Sequence, residues 1–351
     1  MTNRSSADKK PRTNPSTIRH ATPSAFLLRS FRELKTMLSK RRIAIASLCA
    51  ALSTTALAAE NGQIIDRRTY TFPSYEEAVA KTDVELYADK TEYDKAVADR
   101  HFEMEKLTYT SDGLKVLAYF YHPEALGHRQ LPAIVFNRGS AVRGDIAPEL
   151  VTLFHRLAAR GFIVIAPLLR QSDTGEGRDE LGGADVNDVM NLVPLAKSLG
   201  VVDMKNLFMY GESRGGMMTY QAIKRNFPLN AAAVFGAFTD LRQMIESHPK
   251  QYPPAALRQL FPQFDEQQDQ IFKSRSAINW AELLTTPLLI MHGGADKSVD
   301  PAQSLKLAEE LQRLGRTYQL IVYAEDNHIL AKNREDRDRQ AIAWFKTHLK
   351  K

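Results

Sequence analysis

The chain has 351 residues, 47 Lys and Arg against 41 Asp and Glu, and a single cysteine. Residues 1–58 hold 11 of the basic and 2 of the acidic side chains; without them the net charge falls from +6 to −3, which removes any reason to expect nucleic-acid binding. The cysteine, Cys49, lies in the same stretch, so the remaining chain carries no disulfide framework and must rely on a core large enough for one α/β domain with an insertion.

Ser39-Lys40-Arg41-Arg42 forms a basic n-region, residues 43–55 an apolar h-region, and Ala56-Leu57-Ala58 supplies small residues for signal-peptidase cleavage. The expectation is a presequence over residues 1–58 with a signal peptide at 37–58, cleaved near Ala58, and a periplasmic or secreted product. The apolar run is too short to span a bilayer stably, so no membrane span is expected once it is removed. Cys49 sits mid-run without small residues before it, which does not fit a lipoprotein anchor.

Residues 59–100 are expected to form an N-terminal helical arm. Ala78, Val79, Val84, Leu86, Tyr87, Ala96 and Val97 recur among charged residues at helical spacing. Such an arm would pack on the main domain (residues 101–351) and could wall a site there. Strands are expected at 102–110 and 114–121 around the turn Ser111-Asp112-Gly113, then a strand ending at Phe136, a helix over 147–160 and a strand over 162–166. This alternation calls for right-handed crossovers and a mostly parallel sheet flanked by helices.

The glycine-rich loop 171–179 has neither phosphate-binding pattern and reads as a mobile rim, with Arg170 and Arg178 either meeting substrate charge or solvated. Gly182-Gly183-Ala184-Asp185-Val186-Asn187-Asp188 opens a helix reaching about residue 199, whose N-terminal turn Asp185 and Asp188 would serve.

The most specific motif follows. Asn206-Leu207-Phe208-Met209-Tyr210 is an apolar run leading through Gly211-Glu212-Ser213-Arg214-Gly215-Gly216 into a helical segment. A strand entering a helix through G-x-S-x-G is a nucleophile elbow, in which Gly211 and Gly215 relieve crowding beside the serine and Gly216 lets the helix approach the sheet. Beyond a strand at 231–236, residues 239–284 contain four prolines and several aromatics. They are expected to form a small helical cap over the serine, with most of the aromatics in the cap's own core.

An activated serine needs a base, and the base an orienting carboxylate, in the chain order Ser, Asp or Glu, His. Asp296 follows the buried-strand run 286–292, and His328 follows the strand 318–323, before a final amphipathic helix over 334–349. Asp300, which precedes Pro301, suits a helix cap; Asp326 would shape its turn; His292, ending a strand beside two glycines, could lie near the site but is assigned a packing or loop role. The oxyanion donors expected are the backbone N–H groups of Arg214 and Arg138, with the Asn137 side chain as substitute or helper. No H-E-x-x-H or similar spacing occurs, and the chemistry requires no metal or cofactor.

With these residues placed, the chain from about Tyr109 onward resembles the prolyl-oligopeptidase-type branch of the α/β-hydrolases. The similar segments are Thr110-Ser111-Asp112-Gly113-Leu114-Lys115-Val116, the elbow with its doubled glycine, and Gly293-Gly294-Ala295-Asp296-Lys297-Ser298-Val299. The resemblance implies an α/β-hydrolase fold and a Ser213, Asp296, His328 triad. It also implies a tyrosine oxyanion donor after the early strand, where this sequence carries Asn137. Large members carry a β-propeller, for which residues 59–100 are far too few; the likeness is to the short, secreted bacterial members.

The leading expectation is a secreted serine hydrolase cleaving ester or amide bonds in a small-molecule ester or short peptide. The alternatives are a serine peptidase of aminoacyl or dipeptidyl type, a non-catalytic binding protein of the same fold, and acyl transfer to an acceptor other than water. Oligomeric state is left open.

Overall fold

Strands whose side chains are apolar on both faces need cover on both sides, and the sheet here has it. In β4 (Leu131–Asn137), Ala133 and Val135 enter one core cluster while Ile134 and Phe136 enter the other. In β6 (Val202–Glu212), Leu207 and Met209 divide from Phe208 and Tyr210 in the same way. The computed structural model describes residues 60–140 and 144–351. The expected presequence, with its signal peptide, Cys49 and cleavage site, lies outside the described residues.

In chain order the remaining elements are β1 (Ile64–Thr69), α1 (Tyr75–Val79), α2 (Val84–Tyr87), α3 (Lys90–Ala98), β2 (Phe102–Ser111), β3 (Leu114–Pro123), α4 (Ala147–Ala158) and β5 (Ile163–Pro167). Then come α5 (Val186–Met190), α6 (Leu192–Ser198), α7 (Arg214–Lys224) and β7 (Ala231–Phe235). The insertion holds α8 (Leu241–Glu246), α9 (Pro254–Leu260), α10 (Phe264–Arg275) and a 3₁₀ turn at Ala277–Leu283. The chain closes with β8 (Leu288–Gly293), α11 (Ala302–Arg313), β9 (Tyr318–Tyr323) and α12 (Arg334–Thr347).

The nine strands among the described residues form one sheet in the order β1-β2-β3-β5-β4-β6-β7-β8-β9. Pairing is antiparallel from β1 through β3 to β5, and parallel from β5 across to β9. This is the expected α/β-hydrolase arrangement. The chain runs from β4 outward to β5 and returns to place β6 on the other side of β4. Their carboxyl ends therefore flank a topological switch point, where open α/β sheets bind ligands. Register brings Asn137 beside Gly211, Glu212 beside Phe235, and Gly293 beside Tyr323, so the loops after β4, β6, β7, β8 and β9 share one rim.

Two expectations are corrected. The arm is not purely helical. It begins with β1, an exposed edge strand pairing with β2, and continues as three short helices, two of them opened by capping boxes, Ser74 with Glu77 and Asp89 with Glu92. Glu92 also binds Arg334 at 2.7 Å, tying the arm to α12. The helix expected up to residue 199 is divided at Asn191, which ends α5 and starts α6.

Candidate active site

The turn between β6 and α7 is strained at one residue. Ser213 has φ 52° and ψ −116°, a region that non-glycine residues avoid. Its N–H donates to the Phe235 carbonyl at 2.9 Å, and its own carbonyl accepts from Gly216, which fixes the strained backbone. Gly215 is obligatory: a Cβ there would lie 1.8 Å from the Asn137 carbonyl oxygen. The serine side chain is left partly exposed above the sheet, at the start of a helix whose N-terminal dipole favours negative charge.

His328 and Asp296 reach this serine from two other loops. His328 Nε2 lies 2.9 Å from Ser213 Oγ, and its Nδ1 lies 2.8 Å from Asp296 Oδ2. A carboxylate only accepts, so its partner assigns the ring proton to Nδ1 and leaves Nε2 as the acceptor for the serine proton. The histidine loop crosses Gly236 (φ 57°), where a Cβ would meet the His328 carbonyl at 2.5 Å. Asp296 is buried. Burial pushes its carboxyl up, but hydrogen bonds from His292 and His328, the His328 charge and the Val299 amide outweigh that and hold it well below the usual carboxylate range. Asp300 accepts the Ala302 N–H at 2.9 Å as α11 opens, and Asp326 binds the N–H groups of Asn327, Lys332 and Asn333, shaping its turn.

Arg214 opens α7, where helix geometry gives its N–H no partner within the helix. Arg138 follows β4 directly and lines the same cleft. The Asn137 side chain does not join them. It is turned into the core, where Nδ2 donates to Thr219 at 3.0 Å and Oδ1 is buried without a partner among the described residues. That corrects the helper role expected of it: its position at the end of β4 directs it under α7.

The Arg214 side chain carries a feature invisible to the motif. It is wholly buried, with NH1 on Asp179 at 2.6 Å and NH2 on Asp179 at 2.7 Å and Asp185 at 2.7 Å. Burial works against its charge, but the two carboxylates outweigh it and raise its pKa. Arg138 similarly holds the Leu168 carbonyl and Ser172, and Arg170 holds Asp188 and Asp112. The 171–185 segment is therefore a pinned wall rather than a mobile rim. Arg170 is buried in ion pairs, neither solvated nor facing substrate, while the exposed Arg178 donates to the Gln259 carbonyl of the cap. Asp185 does accept the N–H groups of Gly182 and Gly183, as expected of a turn residue; Asp188 instead joins Ser111 to Arg170.

These loops enclose a cleft of about 460 Å³ with Ser213, Arg214 and His328 in its lining. The cap contributes Met244, His248, Gln251, Tyr252 and Leu260, and His248 Nε2 lies 3.1 Å from the Lys297 carbonyl in the acid loop. Most cap aromatics form its own core, Phe261 stacking on Phe264 and Phe264 meeting Phe272 edge-on. From the arm, Tyr87 lines the cleft and its hydroxyl donates to Glu212 at 2.9 Å, so the arm does wall the site. Among the described residues no group of three or more His, Cys, Asp or Glu is placed to hold a metal ion, and no helix is long and apolar enough to cross a membrane.

A sequence profile of the prolyl oligopeptidase family matches residues 150–351, more than half of the chain and all of the stretch holding Ser213, Asp296 and His328. The chain belongs to the prolyl oligopeptidase family. It is a serine hydrolase. It is similar to the uncharacterized peptidase YtmA of Bacillus subtilis, 24% identical over 250 residues that cover 70% of this chain and 95% of YtmA. Acylamino-acid-releasing enzyme 1 of Oryza sativa is 27% identical over 186 residues, 49% of this chain and 23% of that enzyme. Among solved structures, a Mycobacterium tuberculosis puromycin-hydrolyzing peptidase has a TM-score of 0.58 at 24% identity, over 69% of this chain and 40% of the peptidase. Acetyl xylan esterase from Paenibacillus sp. R4 has a TM-score of 0.59 at 16% identity, over 82% of this chain and 90% of the esterase. The chain thus spans nearly all of YtmA and the esterase but less than half of the other two. The structural likenesses establish the fold.

The contact made by one further residue at this site was not legible in the sequence. His292, which could lie near the site but for which a packing or loop role is preferred, has its Nε2 3.0 Å from Asp296 Oδ2. The available signal was its place four residues before the acid, at the end of the same strand.

Proposed function

We propose that this prolyl oligopeptidase-family protein hydrolyses small ester or acyl substrates through a covalent intermediate on Ser213. The observation carrying this reading is the unbroken chain Ser213–His328–Asp296, 2.9 Å and 2.8 Å long at its two links, in the lining of the cleft. Ser213 Oγ bonds to the carbonyl carbon while its proton passes to His328 Nε2. Asp296 holds the ring by Nδ1–H and stabilises the imidazolium, and the N–H groups of Arg214 and Arg138 receive the oxyanion. The imidazolium protonates the leaving group, and water, deprotonated by the same ring, then releases the acid. A cleft confined by both cap and arm favours short acyl groups over long peptides.

The second reading is cleavage of aminoacyl or dipeptidyl amides, favoured by the match to nearly the whole of the peptidase YtmA. The proposal includes export after cleavage near Ala58, supported by the basic and apolar segments of residues 39–58; N-terminal sequencing of the exported protein tests it. A panel of p-nitrophenyl esters and aminoacyl-nitroanilides tests the chemistry. Ser213→Ala should lose on the order of 10⁶ in turnover. Near-normal turnover by that variant rejects the mechanism, and comparable kcat/KM for amides and short esters overturns the ester preference.

A further inference from the structure

Asp296 receives four hydrogen bonds, two at each oxygen. Oδ1 takes the backbone N–H groups of Ser298 at 2.7 Å and Val299 at 3.0 Å. Oδ2 takes His328 Nδ1 at 2.8 Å and a second imidazole, His292 Nε2, at 3.0 Å. His292 belongs to β8 and is completely buried. Its Nε2 also faces the Val299 carbonyl at 3.1 Å, and its Nδ1 lies 2.7 Å from Ser304 Oγ on α11. Carboxylate and carbonyl oxygens only accept, so Nε2 carries a ring proton, and in the neutral ring Nδ1 accepts from the Ser304 hydroxyl. A neutral ring satisfies every one of these contacts.

We infer that His292 is a positioning residue for the proposed reaction, holding Asp296 Oδ2 where His328 needs it. The inference rests on the triad reading given above. Two backbone amides anchor Oδ1, but without His292 the oxygen that orients the base is held, among the described residues, by that base alone. A neutral second donor fixes the plane of the carboxylate while leaving its charge to the imidazolium that forms at His328. A cationic ring at 292 would compete for that same charge, and the hydroxyl offered by Ser304 matches the neutral form. The chain of contacts thus runs from α11 to the nucleophile: Ser304, His292, Asp296, His328, Ser213.

Two variants separate positioning from packing. His292→Leu removes the donor, whereas His292→Gln offers a side-chain N–H in its place. With p-nitrophenyl acetate, H292L should lower kcat about ten- to a hundredfold with KM little changed. Its acidic limb of kcat/KM should move to higher pH, because Asp296, relieved of one donor, stabilises the His328 cation more strongly. H292Q should recover most of both effects. A folded H292L with unaltered kcat, a fall in kcat with an unmoved pH limb, or a folded H292Q as impaired as H292L each overturns the inference. Nitrogen-15 NMR of the wild-type protein labelled in histidine supplies a test that needs no variant. His292 should show a protonated Nε2 and a bare Nδ1 at pH 7, and the opposite tautomer would also overturn the inference. If wild-type turnover does not depend on Ser213, the triad reading fails and takes this one with it; if it does and H292L equals wild type, only the role of His292 fails.

Discussion

Arg214→Met is expected to be among the most destabilising single changes near the site. The guanidinium makes three hydrogen bonds of 2.6–2.7 Å to Asp179 and Asp185, whose side chains are almost fully buried, and a fourth to the Ser140 carbonyl at 3.2 Å. Methionine preserves much of the packed volume but leaves two buried carboxylates without this cation. Breaking a buried pair by removing one partner costs about 3–5 kcal/mol. Asp185 retains the N–H groups of Gly182 and Gly183, and Asp179 that of Leu181, which places the loss in the lower half of that range. With a urea slope of about 3 kcal/mol/M, the unfolding midpoint should fall by roughly 1 M. Arg214→Met combined with Asp179→Asn should recover part of the loss, since one stranded charge is gone. Urea unfolding of the three proteins at pH 7 supplies the numbers. A midpoint for the single variant within about 0.2 M of wild type would refute the reasoning, because it would value these buried pairs no higher than exposed ones.

Other perturbations probe the same site. Asp296→Asn should cost about 10⁴ in kcat by spoiling the tautomer of His328, and retention of more than a tenth of the activity would contradict its orienting role. Because the Asp296 carboxyl is held below its ordinary range in the folded protein, its contribution to stability is fully present above the unfolded value of about 3.9 and is lost progressively as pH falls from there through the lower folded value. The stability gap between wild type and D296N should therefore shrink below about pH 4; an equal gap in urea unfolding at pH 7 and pH 3 refutes this. Gly215→Ala drives a methyl into the Asn137 carbonyl, so it should abolish labelling of Ser213 and lower Tm, and wild-type activity in that variant would show that the elbow yields more easily than its geometry implies. Tyr87→Phe removes the hydroxyl that meets Glu212 and should cost about 1 kcal/mol, read as a drop of a few degrees in Tm; an unchanged Tm would detach the arm from the site.

The parts legible in the sequence were those set by local pattern. Buried strands such as residues 288–293 show as apolar runs because helices cover both faces of the sheet. Ser213 was legible because only small residues fit beside it, Asp296 because it follows such a strand closely, and His328 because it lies in the loop after the apolar-rich edge strand 318–323. β1 was missed because Ile64-Ile65-Asp66-Arg67-Arg68-Thr69 lies exposed at the sheet edge, where Arg67 finds Glu105 only once β2 is paired. The clamps on the 171–185 segment were hidden for a related reason: Arg214 meets Asp179 and Asp185 across 35 and 29 residues of chain. No periodicity encodes such pairs, which come into being only when α7 packs beside that loop. Asn137 was misassigned because its place at a strand end was legible, whereas the direction of its side chain depends on Thr219 in a different element.

Mapping the site of covalent labelling by a fluorophosphonate tests the central claim most directly. Intact-mass and peptide analysis should find one adduct, on the peptide containing Ser213, absent in S213A and strongly slowed in His328→Ala. An adduct at any other residue, or S213A labelling at the wild-type rate, would contradict a nucleophile at Ser213 activated by His328.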